Sequence, residues 1–185
     1  VHFGANIGTS TGDIGMTPSD DRLRDAAVRA FAPHGLDTIR QSQAAQVGDT
    51  TWRHKLDEHD RIARRLIEQQ RGRLIKTTGD GVLAMFDGPG RAIRCALAMD
   101  PALARLNLSV RAGLHTGEVE ERGNDIGGIA VHAAARVMAM ARAGEVLVSR
   151  VVADLVAGSG IGFTDRGDVE FKGMPGTWQL FAAGL

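Results

Sequence analysis

The sequence predicts a layered α/β domain built on a single sheet. Short strand-like segments alternate with helical periodicities from Val47 to the end of the 185-residue chain. Of the 24 glycines, 18 follow residue 71, mostly at the joins between those segments, which indicates tight turns rather than general disorder. The length suits one domain with a hydrophobic core of its own.

The chain has two parts that differ in composition and in hydrophobic periodicity. Residues 1–46 are rich in Gly, Ser, Thr and Asp, and they contain one candidate element, a short helix at 22–32 that Pro33 would end. Residues 47–185 carry strong periodicities throughout. We therefore predict a divergent, poorly patterned N-terminal segment at 1–46 and a folded domain at 47–185.

The first predicted element of the folded part is an amphipathic helix that ends at Gly72. Its basic face is interpreted as solvated rather than as a binding patch. One face holds the mostly apolar set Trp52, Leu56, His59, Ala63, Leu66, Ile67 and Gln70, and the other face holds Arg53, Lys55, Asp57, Arg61, Arg64 and Arg65.

Two short strands around a Gly-Asp-Gly turn are predicted at 73–86, followed by a helix at 87–99 with Pro89 in its first turn. Residues 108–119 are interpreted as a central strand. The remaining predicted elements are a loop at 121–128, a helix of small residues at 129–141 that Gly144 ends, a strand at 145–149, a short helix at 150–157, a turn-rich stretch at 160–173 and a last strand at 177–183.

Charge and composition exclude several classes of function. Lys and Arg together number 22, as do Asp and Glu, so neither a basic nucleic-acid footprint nor a polybasic membrane surface is expected. A single cysteine excludes an internal disulfide framework and a cysteine zinc site. No apolar run is long enough to span a bilayer, and the N-terminus lacks signal-peptide features. A cytoplasmic protein is expected.

Asp80 is the first candidate functional residue, because glycines flank it at a predicted turn. A carboxylate exposed in this way suits Mg²⁺, which binds one or two carboxylates together with substrate phosphates. The alternative is an ordinary type I′ hairpin turn, for which Asp-Gly is a common choice.

A second set of candidates surrounds the helix at 129–141. His132 and Arg136 share one face of it at a spacing of four residues, and Asp125 lies in the glycine-rich loop before it. A planar cation in this position suits a phosphate or carboxylate partner. The alternative is a structural ion pair or a solvated arginine. His115 is interpreted as a packed strand histidine and Cys95 as a core residue.

Five segments in collinear order carry a family resemblance: GRLIKTTGDGVLAMFDGPGRAIRCA, VRAGLHTGEV, DIGGIAVHAAARV, GEVLVS and FKGMPGTWQLFA. From about Val47 to the C-terminus the chain resembles the catalytic domain of class III nucleotidyl cyclases, in its bacterial adenylate cyclase form. The resemblance implies a ferredoxin-like α/β sandwich with a mostly antiparallel sheet. It also implies conversion of ATP to 3′,5′-cyclic AMP and pyrophosphate, by two-metal-assisted attack of the ribose 3′-hydroxyl on the α-phosphate.

The same resemblance implies a role for each candidate residue. Asp80 matches an aspartate that binds Mg²⁺ or Mn²⁺, and Lys76 and Asp125 match the pair that reads the purine. Arg136 matches the arginine that stabilises charge on the α-phosphate, and His132 stands where the family usually has an asparagine. In the family each site lies between two chains, so a homodimer or a heterodimer with another cyclase chain is implied.

A larger departure lies near the N-terminus. The family's first metal-binding motif, roughly Phe-Thr-Asp-Ile-x-Gly-Ser-Thr, is not found; its expected place, 36–49, holds LDTIRQSQAAQVGD. Two main hypotheses follow: an adenylate cyclase, or a catalytically impaired homologue that acts as a nucleotide-binding module or as a heterodimer partner. A ferredoxin-like domain without a nucleotide role is a third.

Overall fold

The structure is a computed structural model, and it describes residues 26–33, 49–77, 81–123 and 125–184, with the backbone alone at 26–33, 49–52 and 122. Strands and helices alternate along most of the described chain, as the sequence predicts. The elements are β1 (Ala26–Pro33), α1 (Asp49–Gln69), β2 (Arg73–Thr77), β3 (Val82–Phe86), α2 (Pro89–Leu103), a 3₁₀ turn (Ala104–Leu106), β4 (Val110–Leu114), β5 (Glu120–Arg122), β6 (Asp125–Gly127), α3 (Ile129–Met140), β7 (Val146–Ser149), α4 (Arg150–Leu155), β8 (Gly162–Glu170) and β9 (Thr177–Gly184).

One sheet organises the described chain. Seven strands form it in the order β2-β3-β1-β4-β7-β9-β8, and β5 and β6 form a separate two-stranded ribbon. The β4–β7 pair is parallel, whereas the other pairs of the sheet are antiparallel. The mostly antiparallel sheet is therefore confirmed, and β4 is its central strand, although it is shorter than the predicted 108–119.

Helices cover both faces of the sheet. On one face α1, α2 and α4 bury a continuous cluster that includes Ile67, Ile93 and Val152. On the other face α3 and the β5–β6 ribbon bury two smaller clusters. Strand β3 shows the reason for both layers, because alternate residues point to opposite faces and all five are buried. Its Leu83 belongs to the α3 side and its Phe86 to the α1 side.

Strand β1 corrects the prediction of a short helix at 22–32. Ala26–Pro33 pairs antiparallel with β3 on one side and β4 on the other, so both edges of its backbone find hydrogen-bond partners in the sheet. This tertiary pairing overrides the local helical pattern. The sheet therefore includes residues that precede Val47. The division of the chain at 46/47 stays a prediction, since residues 34–48 lie outside the described residues.

Two further predictions of irregular structure are wrong. The stretch 121–128, predicted as a loop, contributes to the β5–β6 ribbon, in which Glu121 pairs with Ile126. The turn-rich stretch 160–173 contains β8, a nine-residue edge strand paired with β9. Both contain glycines and acidic residues, which have a low propensity for strands. Hydrogen bonding to a neighbouring strand stabilises the strand conformation in spite of that propensity.

Helix α1 follows the prediction closely. It ends at Gln69, and the amide of Gly72 donates to the carbonyl of Ile67 at 2.8 Å. Four of its arginines are exposed, which confirms that its basic face is solvated: Arg53, Arg61, Arg64 and Arg65. Within the described ranges, no helix combines the length and the apolar character that a bilayer span requires.

Candidate active site

Lys76 and Asp125, which lie 49 residues apart in the sequence, meet at the surface of the domain. The Lys76 Nζ donates to Oδ1 and to Oδ2 of Asp125, each at 2.7 Å. Both side chains remain partly accessible, at 42% and 54% of their full exposure, so a ligand is able to reach them. The structure thus brings together two of the residues that the sequence analysis singled out.

Buried neighbours hold this pair in place. Lys76 lies on β2, next to Ile75, and Asp125 begins β6, next to Ile126. Ile126 is only 5% exposed and packs with Leu83 of β3 and with the first turn of α3, while Ile75 packs against the same cluster. Lys76 therefore directly follows the packed Ile75, and Asp125 directly precedes the buried Ile126. The ribbon is thereby fixed on the sheet with its carboxylate toward β2.

The environment of Asp125 keeps its carboxyl group ionised. The hydrogen bonds from Lys76, together with a 2.8 Å bond from the amide of Ile126, lower the pKa of Asp125 below its ordinary value. An ionised carboxylate accepts hydrogen bonds and donates none. The pair therefore presents one donor group and one acceptor group side by side.

His132 and Arg136 lie one helical turn apart on the exposed side of α3. The opposite side of the helix is buried against the sheet through Ala133, Ala134 and Val137. Both polar side chains are exposed, and neither forms a hydrogen bond or an ion pair within the described part of the chain. Arg136 is therefore accessible to an external anion, and it forms no structural ion pair within the described residues. The phosphate or carboxylate partner stays a prediction.

Asp80 lies outside the described residues, which break off at Thr77 and resume at Gly81. The strands on either side of this gap are paired, with Thr77 opposite Val82. Because β1 runs antiparallel to β3, the end of β1 at Pro33 lies toward Val82, the first residue of β3. The eight residues of β1 include no acidic residue.

The fit of the expected metal ions follows from these observations. No cluster of three or more carboxylate, histidine or cysteine side chains able to hold a metal ion occurs among the residues that the structure describes. Asp80, the one residue predicted to bind a metal, lies outside the described residues, and β1 contributes no carboxylate. The described residues therefore do not form a complete two-metal site, and further carboxylates would have to come from other residues or from a second chain.

His115 follows β4 directly and occupies a site that the sequence analysis did not foresee in full. It is packed, as predicted, yet its Nδ1 also forms a 2.7 Å hydrogen bond with Oγ of Ser149. Its ring contacts the ring of Trp178 edge-on, with centroids 5.2 Å apart. The sequence gives no signal for these contacts, since Ser149 lies 34 residues away and becomes a neighbour only through the parallel pairing of β4 with β7.

Burial lowers the pKa of His115 to about 4. In an unfolded chain the imidazole titrates near pH 6.5, so between these two values the unfolded state binds more protons than the folded one. The neutral, buried imidazole of His115 therefore makes its full contribution to the stability of the folded state above about pH 6.5. This contribution is lost as the pH falls toward about 4. We expect His115 to contribute up to about 3 kcal/mol to the decrease in the free energy of unfolding over this interval.

Urea titrations at several pH values check this prediction. The His115→Phe variant, which has no titrating group at this position, should show a shallower decrease between pH 6.5 and pH 4. Equal pH slopes for the variant and the unaltered protein would contradict it.

Cys95 lies on α2 and is fully buried, which confirms its interpretation as a core residue. Burial raises the pKa of the Cys95 thiol to about 12, so the thiolate is scarce at neutral pH. It takes no part in the candidate site.

Comparisons with known proteins connect this arrangement to a family. The family model described as "Adenylate and Guanylate cyclase catalytic domain" matches residues 39–182. The chain belongs to this family. Its resemblance to class III nucleotidyl cyclases is therefore confirmed, and with it the lyase-type class of the cyclase domain.

Relatives and solved structures agree with this assignment. The chain is 34% identical over 116 residues to a Rhizobium meliloti protein named "Putative adenylate cyclase 3", a match that covers 58% of this chain and 20% of the relative. The solved adenylate/guanylate cyclase/hydrolase from Silicibacter pomeroyi is 27% identical, with a TM-score of 0.68 over 85% of this chain and 94% of that one. The adenylyl cyclase CyaB from P. aeruginosa is 19% identical, with a TM-score of 0.76 over 86% and 93%, and shows the same fold.

The chain is much shorter than the curated relatives that it matches. The chain spans about a fifth of the length of the Rhizobium meliloti relative and 13% of a Myxococcus xanthus protein named as a serine/threonine-protein kinase. The predicted class III cyclase fold is thus confirmed by solved neighbours of both adenylyl and guanylyl type.

Proposed function

We propose that this cyclase domain converts ATP to 3′,5′-cyclic AMP and pyrophosphate. The observation that carries the proposal is the pair formed by Lys76 and Asp125, whose side-chain atoms lie 2.7 Å apart. Adenine offers a ring nitrogen that accepts a hydrogen bond next to an amino group that donates one. A lysine donor beside a carboxylate acceptor matches this edge, whereas guanine presents the reverse order and would leave both groups facing like partners.

The remaining residues take roles that follow from their chemistry. Arg136, whose planar cationic side chain is exposed on α3, is proposed to stabilise the charge that develops on the α-phosphate. His132, one turn earlier on the same side, is proposed to hydrogen-bond the ribose. ATP would therefore lie along the side of the domain where the β5–β6 ribbon leads into α3.

Mg²⁺ or Mn²⁺ is the proposed cofactor, with Asp80 as one ligand. Such an ion lowers the pKa of a bound hydroxyl and neutralises phosphate charge, which is the chemistry that this reaction needs. Because the described residues contain no cluster able to hold a metal ion, the carboxylates that would complete the site with Asp80 are proposed to come either from other residues outside the described ranges or from a second chain. The site is accordingly proposed to lie between two chains, in a homodimer or in a heterodimer with another cyclase chain.

A specific observation favours a second candidate function. Strand β1 ends toward Val82 of β3 and carries no acidic residue, while Lys76, Asp125, His132 and Arg136 are all present. A chain of this kind would contribute its proposed purine-binding residues and its arginine to a site shared with another cyclase chain, and that chain would supply both metal-binding aspartates. It would then be a heterodimer partner without activity of its own.

One assay with two arms tests both candidates. The purified chain is incubated with ATP and Mn²⁺, alone and mixed with a class III cyclase chain that keeps both metal aspartates but lacks its own purine lysine and arginine. Cyclic AMP from the chain alone, abolished by Asp80→Ala, supports the first candidate. Product only from the mixture supports the second.

The choice of nucleotide adds a control. GTP should yield at least about tenfold less product than ATP. Guanine presents the reverse order of donor and acceptor, so the hydrogen-bonding groups of Lys76 and Asp125 would be left without matching partners. Absence of product from both arms, with binding of the two chains demonstrated by sedimentation, would reject both candidates.

A further inference from the structure

The hydrogen bond between His115 and Ser149 joins the ends of two neighbouring parallel strands. Leu114 is opposite Val148 in the β4–β7 pair, so the residues that follow, His115 and Ser149, emerge at the same edge of the sheet. Ser149 is only 3% exposed. The bond at 2.7 Å is therefore largely shielded from water, and losing one partner would leave a buried polar atom without a substitute.

Ser149 forms this bond in place of another. It stands at the N-cap of α4, where a serine hydroxyl ordinarily accepts a hydrogen bond from an amide of the first helical turn. Here its side chain forms no capping bond. Its hydroxyl bonds to His115 instead. The C-terminal end of β7 is therefore linked to the segment after β4, and α4 has no side-chain cap.

The segment that His115 begins leads to the candidate active site by close packing. A Cβ added at Gly117 would lie 3.4 Å from Nε2 of His115 and 3.1 Å from Cβ of Ala130. Gly117 is thus enclosed between the imidazole on one side and the first turn of α3 on the other. Ala130 itself is completely buried.

The next residues of the segment support the start of the same helix. A Cβ added at Gly128, the N-cap of α3, would lie 3.5 Å from the carbonyl oxygen of Glu118 and 3.6 Å from the amide of Glu120. The chain from His115 to Glu120 therefore runs beneath the N-terminus of α3. His132 and Arg136 lie on the first two turns of that helix.

We infer that His115, held by Ser149, is a positioning residue that fixes the first two turns of α3 and thereby the placement of His132 and Arg136. Within the described residues no hydrogen bond, ion pair or ring contact joins His115 to either of them; we infer that it acts through Gly117 and Ala130. The part of the inference that concerns α3 rests on packing alone. Its consequence for turnover rests on the proposed function, so the two are tested separately.

Amide hydrogen exchange of the full chain tests the packing part without any need for activity. In His115→Phe the ring keeps its contact with Trp178 but loses Nδ1, and in Ser149→Ala the hydroxyl is removed. Both variants should exchange residues 129–136 at least about tenfold faster than the unaltered chain, with α2 unchanged. His115→Asn, whose side-chain amide stands near the position of Nδ1, should restore much of the protection.

Ser109→Ala is the matched control, because the Ser109 hydroxyl donates to Asp100 at 2.8 Å at the opposite end of β4. It should leave the exchange of 129–136 as it is. Exchange of α3 in His115→Phe equal to that in Ser109→Ala overturns the inference, as does acceleration that is uniform across the domain. Where cyclic AMP formation is measurable, kcat should fall in His115→Phe and recover in His115→Asn; unchanged kcat with faster α3 exchange overturns only the link to catalysis.

Discussion

Replacing Gly113 by alanine is expected to destabilise the domain by about 3 kcal/mol or more. Gly113 lies on the central strand β4, and a Cβ at this position would lie 2.1 Å from the backbone nitrogen of Met138 and 2.4 Å from its Cα. Those atoms belong to the backbone of α3 and have no rotamer through which to move aside. The helix would have to lift from the sheet, opening the clusters that its buried side forms.

Thermal unfolding measures the effect. For a chain of this size 1 kcal/mol corresponds to about 2–4 °C, so Gly113→Ala should lower Tm by about 6–12 °C. Gly184→Ala is the matched control, because Gly184 also lies in a strand and a Cβ there would meet no atom within 4 Å. Equal Tm values for the two variants would show that α3 does not pack on β4 as described.

The close approach at Gly113 also shows where sequence reasoning stops. The alternation of strands and helices and the helix at 129–141 are local patterns, which the spacing of apolar residues and the positions of glycines predict. The need for glycine at 113 arises from a contact 25 residues further along the chain, which no local pattern records. The prediction of 108–119 as a central strand was right about its place in the sheet and too long in its extent.

Elements that depend on pairing were the ones missed. The local composition of β1 indicates a helix, and that of β8 indicates turns. Both become strands because a neighbouring strand accepts and donates their backbone hydrogen bonds. For β1 the partners β3 and β4 lie far along the chain, and a single sequence carries little information about such a pairing. For β8 the partner β9 follows closely, and the glycines and acidic residues of β8 mask its strand character.

Some features of the candidate site are likewise expected from the sequence, whereas others appear only in the fold. The meeting of Lys76 with Asp125 was implied by the family resemblance, and the structure shows the two side chains in contact. The exposure of Arg136 required the fold, since the helix periodicity alone leaves open which side faces the sheet. Asp80 lies outside the described residues, and its role stays a prediction.

Arg136→Ala is expected to reduce kcat for cyclic AMP formation by about 10²–10³, with a much smaller change in KM for ATP. The proposed partner of the guanidinium is charge that develops on the α-phosphate, so its loss should weaken the transition state more than the bound substrate. Since the side chain is exposed, the variant should keep the Tm of the unaltered chain. Arg136→Lys should recover part of the loss, because it keeps the charge without the planar fork.

Arg94→Ala is the control for a general loss of positive charge, because Arg94 is exposed on α2, on the opposite face of the sheet. It should leave kcat unchanged. If the chain is active only together with another cyclase chain, the same variants are measured in the mixture, where Arg136 of this chain and the aspartates of its partner would belong to one site. A kcat within about threefold of the unaltered chain in both settings would remove Arg136 from the proposed mechanism, because removing a preorganised electrostatic donor costs far more than that. The proposal would then rest on Lys76 and Asp125 alone, whose proposed role is to bind the base and not to accelerate cyclisation.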